Sequence, residues 1–296
     1  MPEAQVNGIT IYYEVEGPDD GKPILLITGV GTQMTRFPKP FVDKLVARGY
    51  RVIRMDNRDI GLSQKFTDHG LPDFKEAMAA KAEGRQADLA YQLSDFAADG
   101  AALLDHLGID KAHVAGFSMG GMIVQLMAIE HPDKVLSMAS IMSNTANPDL
   151  PKATPEAMAA LTTPRPDANA DLDAFVAHGV ASAKVIGSPA WPIPDDVLAA
   201  NILSDYERSY HPTGFPRQYA AILATYDRRP FLQKLKLPCV AIHGVQDPLV
   251  PVEGGRDTAA NIPGCELVEI DGMGHNLPPQ IFDRIIDAME LATLKA

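Results

Sequence analysis

The chain has 296 residues, 46% of them hydrophobic, and a formal net charge of −12. This composition is typical of globular proteins with a hydrophobic core, and the acidic balance argues against non-specific nucleic-acid binding, which needs clustered Lys and Arg. The N-terminus has no basic start followed by an apolar core, and no apolar run is long enough to cross a bilayer. We therefore expect a soluble, cytoplasmic protein without a membrane span.

Short apolar runs predict the strands of one sheet, and helical spacing lies between them. The first predicted strand, 9–16, alternates in polarity, and the later ones are almost wholly apolar: 23–27, 51–55, 113–117, 135–141, 239–243 and 267–270. Continuous apolar runs are typical of strands buried on both faces of a parallel sheet. Helices are expected at 41–47, 95–107, 119–130 and 281–293, the second with Ser94 as its N-cap. The alternation predicts an α/β fold with a mostly parallel, doubly wound sheet.

One region, 144–229, interrupts this alternation because it contains no apolar strand. It is rich in Ala and Pro, and the prolines exclude one long helix. Shorter helices are expected at 155–161, 171–185 and 195–203, and a smaller helical insertion is expected near 72–87. We predict a core domain in two parts, 1–143 and 230–296, with a helical cap at 144–229 between them.

The strongest chemical signal is the segment 116–121, Gly-Phe-Ser-Met-Gly-Gly. It matches the G-x-S-x-G nucleophile elbow, and it lies between a predicted strand and a predicted helix, as that motif requires. The sharp turn needs small residues at 116 and 120 and exposes the hydroxyl of Ser118 above the sheet. Ser118 is the predicted nucleophile.

A nucleophilic serine needs a general base and an acid that orients it, and in this kind of fold they follow in the order Ser, Asp, His. Asp247 follows the strand 239–243, and His275 follows the strand 267–270. Both therefore lie at the same sheet edge as Ser118, which is where ligands bind in such sheets. We predict Asp247 as the acid and His275 as the base; Asp149 is the rival acid.

The tetrahedral intermediate needs two backbone N–H donors. The first is expected at Met119, directly after the nucleophile. The second is expected from the loop Thr28-Gly29-Val30-Gly31 after the strand 23–27, with Val30 as the first choice and Gly31 as the second.

The other candidate residues are assigned structural roles. Cys239 and Cys265 are expected to be buried free thiols, without zinc-site spacing. The segment 56–59, Asp-Asn-Arg-Asp, is expected to form a hydrogen-bonded turn. Trp191 could cover a pocket or only pack the cap. Seven histidines are expected to be structural or solvated: His69, His106, His113, His131, His178, His211 and His243.

These motifs identify a family resemblance that extends over nearly the whole chain. The elbow, the Asp247 loop and the Gly274-His275 pair resemble those of the α/β-hydrolase superfamily. The stretch 52–63, VIRMDNRDIGLS, is similar to that of the aclacinomycin methylesterase group and related carboxylesterases, which share an Asp, here Asp59, where most relatives have Gly. The resemblance implies that 144–229 is a cap that forms the substrate pocket. Many relatives have a His that supports the oxyanion loop at the position of Thr28.

The predicted function is hydrolysis of a small-molecule carboxylic ester through an acyl-enzyme, without a metal or cofactor. Ser118 argues against the dehalogenase and epoxide hydrolase relatives, which have Asp at this position. One alternative is a cofactor-free haloperoxidase or perhydrolase using the same triad, although that group usually has an aromatic residue at the position of Val30. The other alternative is a non-catalytic ligand-binding receptor. The natural substrate and the oligomeric state stay open.

Overall fold

A computed structural model describes residues 2–296 and shows one eight-stranded sheet. The strands are β1 (Glu3–Val6), β2 (Ile9–Glu16), β3 (Lys22–Ile27), β4 (Tyr50–Met55), β5 (Ala112–Phe117), β6 (Val135–Ile141), β7 (Cys239–Gly244) and β8 (Glu266–Ile270). Their order is β1-β2-β4-β3-β5-β6-β7-β8, and only the β1–β2 and β2–β4 pairs are antiparallel. The predicted α/β class with a mostly parallel sheet is confirmed.

Helices cover both faces of the sheet and bury the apolar strands between them. The helices are α1 (Lys39–Ala47), α2 (Phe74–Ala82), α3 (Leu93–His106), α4 (Met119–Glu130), α5 (Pro155–Thr162), α6 (Leu172–Ile186), α7 (Asp195–Arg208), α8 (Gly214–Ala224), α9 (Arg229–Leu232), α10 (Glu253–Ala260) and α11 (Phe282–Thr293). Phe96 of α3 and Ile123 of α4 pack on one face, and Phe41 of α1 and Phe282 of α11 pack on the other. This two-faced packing explains why β3 and β5–β7 have almost no polar alternation.

The predicted start of α3 differs from the structure, and some elements lie outside the predicted ones. Helix α3 begins at Leu93, so Ser94 lies within its first turn and is not the N-cap. Gln92 is the N-cap, and its N–H donates to the Asp95 carboxylate at 2.7 Å, which holds the start of the helix two residues earlier than expected. Helix α8 was not predicted, because its Gly, Pro and aromatic residues obscure the helical spacing.

Four helices, α5 to α8, lie between β6 and β7, within the region 144–229. Phe175, Ile202 and Tyr210 form a small apolar cluster of their own there, separate from the two clusters on the sheet. The region therefore has a local core, while the division of the chain into 1–143, 144–229 and 230–296 stays a prediction. No helix of residues 2–296 is long and apolar enough to cross a membrane.

Candidate active site at the carboxyl edge of the sheet

Ser118 lies at the sharp turn from β5 into α4, in a strained backbone conformation. Its φ and ψ are 55° and −122°, a region that residues with a side chain rarely adopt. Such strain persists only where the surrounding structure enforces it, and here the Ser118 N–H donates to Ile141 O of β6 at 2.9 Å. The side chain is thereby lifted out of the sheet at its carboxyl edge.

The glycines around Ser118 are required by close backbone contacts. A Cβ on Gly116 would lie 2.2 Å from Gly120 O, and a Cβ on Gly120 would lie 2.1 Å from Ile27 O. Both contacts are with backbone atoms, which cannot shift as a flexible side chain can. Any side chain at either position would therefore disrupt the turn. The spacing G-x-S-x-G therefore follows from how tightly α4 packs against the ends of β3 and β5.

Asp247 and His275 form a buried pair at the ends of β7 and β8. The distance from Asp247 Oδ2 to His275 Nδ1 is 2.6 Å, and the other carboxylate oxygen accepts from the N–H groups of Leu249 and Val250, both at 2.9 Å. Three hydrogen bonds fix the carboxylate, which in turn fixes the orientation of the imidazole and leaves Nε2 for other partners. Among residues 2–296 the structure records no hydrogen bond between the Ser118 hydroxyl and His275.

His243 is not one of the predicted catalytic residues, but it stabilises the loop that contains Asp247. It is fully buried at the end of β7, its Nε2 is 2.8 Å from Val250 O, and the same nitrogen is 3.7 Å from Asp247 Oδ2. Burial lowers the pKa of His243, with the nearby Asp247 charge acting in the opposite sense. A neutral His243 that donates to Val250 O holds the turn whose N–H groups orient Asp247.

The loop after β3 passes directly beside Ser118. A Cβ on Gly29 would lie 3.2 Å from Ser118 Cβ, a contact so tight that a larger residue would require its neighbours to shift. The loop is braced by hydroxyls: Thr28 donates to Thr32 O at 3.1 Å, and Thr32 donates to Gly29 O at 2.9 Å. Asn57 adds a hydrogen bond to Thr28 O at 3.1 Å. Thr28 therefore contributes to bracing the loop by a different route from the histidine of many relatives.

The two candidate second donors in this loop are not equivalent. The Gly31 N–H donates to Gln218 Oε1 of α8 at 2.8 Å, so it is already engaged. The N–H groups of Val30 and Met119 donate to no atom of residues 2–296. This favours Val30, our first choice, over Gly31. Gln218 also donates to Arg58 O at 2.7 Å and so links the loop to the segment 56–59.

The segment 56–59 does more than form a turn, because Asp59 anchors α8 to the core. Asp59 is fully buried with φ of 71°, and both of its oxygens accept from Arg217, one of them at 2.9 Å. Tyr91 donates to Asp59 at 2.8 Å, and the Phe66 N–H donates at 3.0 Å. Burial raises the pKa of Asp59, but the hydrogen bonds from Arg217, Phe66 and Tyr91 outweigh it and hold this pKa below its usual range.

Two further candidates lie apart from this chemistry. Asp149 is exposed, and the one contact recorded for it is from its own N–H to the side chain of Asn147. Trp191 is half-buried and packs against the apolar cluster on the α1 and α11 face, beside Gly272. Its ring therefore packs against the core.

The chain belongs to the α/β-hydrolase family: a family model described as the alpha/beta hydrolase fold matches residues 22–280. This confirms the resemblance that the elbow, the Asp247 loop and the Gly274-His275 pair indicated.

Among curated proteins, the chain is similar to rhodomycin D methylesterase from Streptomyces peucetius, at 27% identity over 98% of this chain and 97% of that protein. It is also similar to a putative carbamate hydrolase from Caulobacter sp. strain K31, at 26% identity over 97% of both chains. The crystal structure of the enol-lactonase from Burkholderia xenovorans LB400 covers 100% of both chains, with a TM-score of 0.67 and 22% identity, and it bears on the fold alone. The similarity to a methylesterase agrees with the resemblance of residues 52–63 to the aclacinomycin methylesterase group.

Proposed function

We propose that the protein is a serine hydrolase that cleaves carboxylic esters of small molecules, with Ser118 as nucleophile, His275 as general base and Asp247 as orienting acid. The observation that carries this proposal is the buried Asp247–His275 pair, at 2.6 Å, on the same sheet edge as the strained Ser118. The similarity to rhodomycin D methylesterase supports the ester class, since that relative is named for ester cleavage.

The reaction proceeds in two acyl transfers. In the first, Ser118 Oγ attacks the ester carbonyl carbon while His275 Nε2 takes the hydroxyl proton. The carbonyl oxygen becomes an oxyanion that accepts hydrogen bonds from the N–H groups of Val30 and Met119. The intermediate then collapses, the C–O bond to the alcohol breaks, and His275 returns its proton to the leaving alkoxide. The products of this half are the alcohol and an ester of Ser118.

The second half regenerates the enzyme with water in place of the alcohol. His275 removes a proton from a water molecule, which attacks the acyl carbon and forms the same kind of oxyanion. Collapse releases the carboxylic acid, and His275 returns the proton to Ser118 Oγ. Asp247 stays ionised throughout and stabilises the imidazolium that forms twice in each turnover. The Ser118–His275 hydrogen bond is expected to close when substrate is bound, as catalytic hydrogen bonds often tighten on binding.

We further propose that the region 144–229 acts as the cap over this edge. Gln218 and Arg217 on α8 connect it to the oxyanion loop and to Asp59, which places α8 next to the reacting groups. The ring of Phe215 lies against Gly31, since a Cβ built on Gly31 would be 2.8 Å from Phe215 Cδ2. These contacts give the cap a direct influence on which acyl or alcohol groups reach Ser118.

The experiment that tests the function is a substrate panel on purified protein. p-Nitrophenyl acetate, butyrate and octanoate are compared with methyl esters, lactones and carbamates, each with wild type and Ser118→Ala. Hydrolysis of esters by the wild type alone is the expected result. Ester hydrolysis that persists in Ser118→Ala would remove Ser118 from the mechanism, and binding without turnover by the wild type would favour the receptor alternative.

A further inference from the structure

A short segment of the cap is hydrogen-bonded to the loop that contains His275. We call residues 186–190, the last residue of helix α6 and the four residues after it, the strap. The His275 N–H donates to Ile186 O at 2.7 Å, and the Ala190 N–H donates to Gly272 O at 3.2 Å. A Cβ on Gly274 would lie 2.4 Å from Gly187 O, so the two segments are in backbone contact. The strap thus supplies partners for backbone groups of Gly272 and His275 in the 272–276 loop.

Ser188 lies at the centre of this contact and binds the residues on both sides of His275. Its hydroxyl accepts from the Gly274 N–H at 2.9 Å and donates to Asn276 Oδ1 at 2.5 Å. The Ser188 N–H donates to the same Asn276 oxygen at 3.0 Å. Ser188 is 2% exposed, so water does not replace these partners readily if the hydroxyl is lost.

We propose that Ser188 is a positioning residue for the general base, acting together with Asn276; this inference rests on the proposed function. The imidazole of His275 is fixed on one side by Asp247, but the position of its backbone is set by the strap. Loss of the Ser188 hydroxyl leaves a buried Gly274 N–H without a partner, and Asn276 Oδ1 keeps only the hydrogen bond from the Ser188 N–H. The base would then sample orientations in which Nε2 does not reach Ser118, and misplacement of about 1 Å costs on the order of 10²-fold in rate.

The proposal also connects the cap to the chemistry. The strap begins at the end of α6, and α6 packs against α5 and α7. The five hydrogen bonds between the strap and the 272–276 loop therefore couple the position of these helices to that of His275. The backbone N–H of Trp191, the residue after the strap, donates to Ser188 O at 3.2 Å and stabilises the C-terminal part of the strap. The strap therefore couples the position of the proposed cap to that of the general base.

The test compares Ser188→Ala, Asn276→Ala and the double variant with wild type, and uses Ser137→Ala as a matched control. Ser137 is 1% exposed and its hydroxyl is hydrogen-bonded to His113 at 2.8 Å, in the body of the sheet away from its carboxyl edge. For each protein, kcat and KM are measured on p-nitrophenyl acetate together with the thermal midpoint. Proton NMR reports the low-field resonance of the short His275–Asp247 hydrogen bond.

We expect Ser188→Ala to lower kcat by about 10²-fold with little change in KM, because the orientation of a catalytic group is lost and ground-state binding is not. Asn276→Ala should lower kcat in the same way, and the double variant should lose no more than the worse single variant, since both act through one contact. The low-field resonance should broaden or disappear in all three. Ser137→Ala should lower the thermal midpoint and leave kcat and the resonance unchanged.

The proposal is overturned if Ser188→Ala loses no more kcat than Ser137→Ala, or if KM rises while kcat holds. If Ser188→Ala does not fold, Asn276→Ala decides the question by the same two readouts. A wild-type protein that hydrolyses no ester would refute the proposed function alone, because the NMR comparison still tests the strap without any turnover. An unchanged resonance in both single variants would refute the strap whatever the activity.

Discussion

The Asp59 carboxylate and the Arg217 guanidinium form a buried ion pair with two hydrogen bonds, one at 2.9 Å, between the core and helix α8. Arg217 is adjacent to Gln218, which engages the Gly31 N–H of the oxyanion loop. Helix α8 therefore connects the Asp59 segment to the loop after β3 and engages the Gly31 N–H. The Asp59–Arg217 pair stabilises the conformation of the proposed site and lies away from the reacting atoms.

Removal of one member of this pair should destabilise the protein strongly. Arg217→Met leaves the fully buried Asp59 carboxylate without its principal partner, which typically costs about 3–5 kcal/mol of unfolding free energy. The matched control is Arg229→Met, whose ion pair with Asp227 is partly exposed and screened by solvent, so its loss should cost much less. Urea unfolding of the three proteins measures the difference. Equal losses in the two variants would contradict the anchoring role of Asp59.

The same carboxylate should make stability depend on pH in acid. The pKa of Asp59 is lower in the folded state than in the unfolded chain, so its contribution is present above the ordinary Asp value of about 3.9 and is lost as pH falls through the folded value. Asp59→Asn removes this dependence. Unfolding free energies measured from about pH 3 to 7 should therefore fall more steeply in acid for wild type than for Asp59→Asn. Parallel curves for the two proteins over the whole pH range would show that protonation of Asp59 does not contribute to the acid dependence of stability.

Asp247→Asn should reduce kcat on p-nitrophenyl acetate by about 10⁴-fold, because the amide favours the wrong tautomer of His275. Asp149→Asn is the control, since Asp149 is exposed and its recorded contact is with Asn147. It should keep wild-type rates. If Asp149→Asn is the damaging change and Asp247→Asn is mild, the acid has been assigned to the wrong residue.

Three aromatic rings extend from the oxyanion loop towards the surface and should influence acyl preference. Phe215 stacks on Tyr219 with centroids 5.8 Å apart, and Tyr219 meets the edge of Phe74 at 5.9 Å. Phe215→Ala should change kcat/KM unevenly across p-nitrophenyl acetate, butyrate and octanoate, by about 1–3 kcal/mol for the affected ester. An equal fractional loss on all three esters would exclude Phe215 from the pocket.

Trp191→Ala, measured on the same three esters, separates its two possible roles. An uneven change would place the Trp191 ring in the pocket, as we predict from the cap's apolar residues. An equal fractional change on all three would show that it only packs against the core beside Gly272.

The sheet and the catalytic candidates could be predicted from the sequence because each depends on local patterns. Apolar runs identify buried strands, and the glycines at 116 and 120 identify the turn around Ser118. The order of Ser118, Asp247 and His275 along the chain then places all three at one edge of a parallel sheet.

The supporting contacts could not be predicted, because they join residues far apart in the chain. Ser188 and Asn276 are 88 positions apart, and Gly31 and Gln218 are 187 apart. No spacing rule relates such pairs, and Ser, Asn and Gln occur mostly as ordinary surface residues. Asp59 was recognised only as part of a turn, since its partner Arg217 lies in a helix that the sequence pattern did not reveal.

Direct labelling tests whether Ser118 carries the acyl group. The protein is incubated with a p-nitrophenyl phosphonate, which phosphonylates an activated serine, and the modified peptide is identified by mass spectrometry beside residual esterase activity. We predict one adduct, on Ser118, that forms in proportion to the loss of activity and is absent from Ser118→Ala and greatly slowed in His275→Ala. Full inactivation with an adduct on another residue, or undiminished labelling of Ser118 in His275→Ala, would contradict the account.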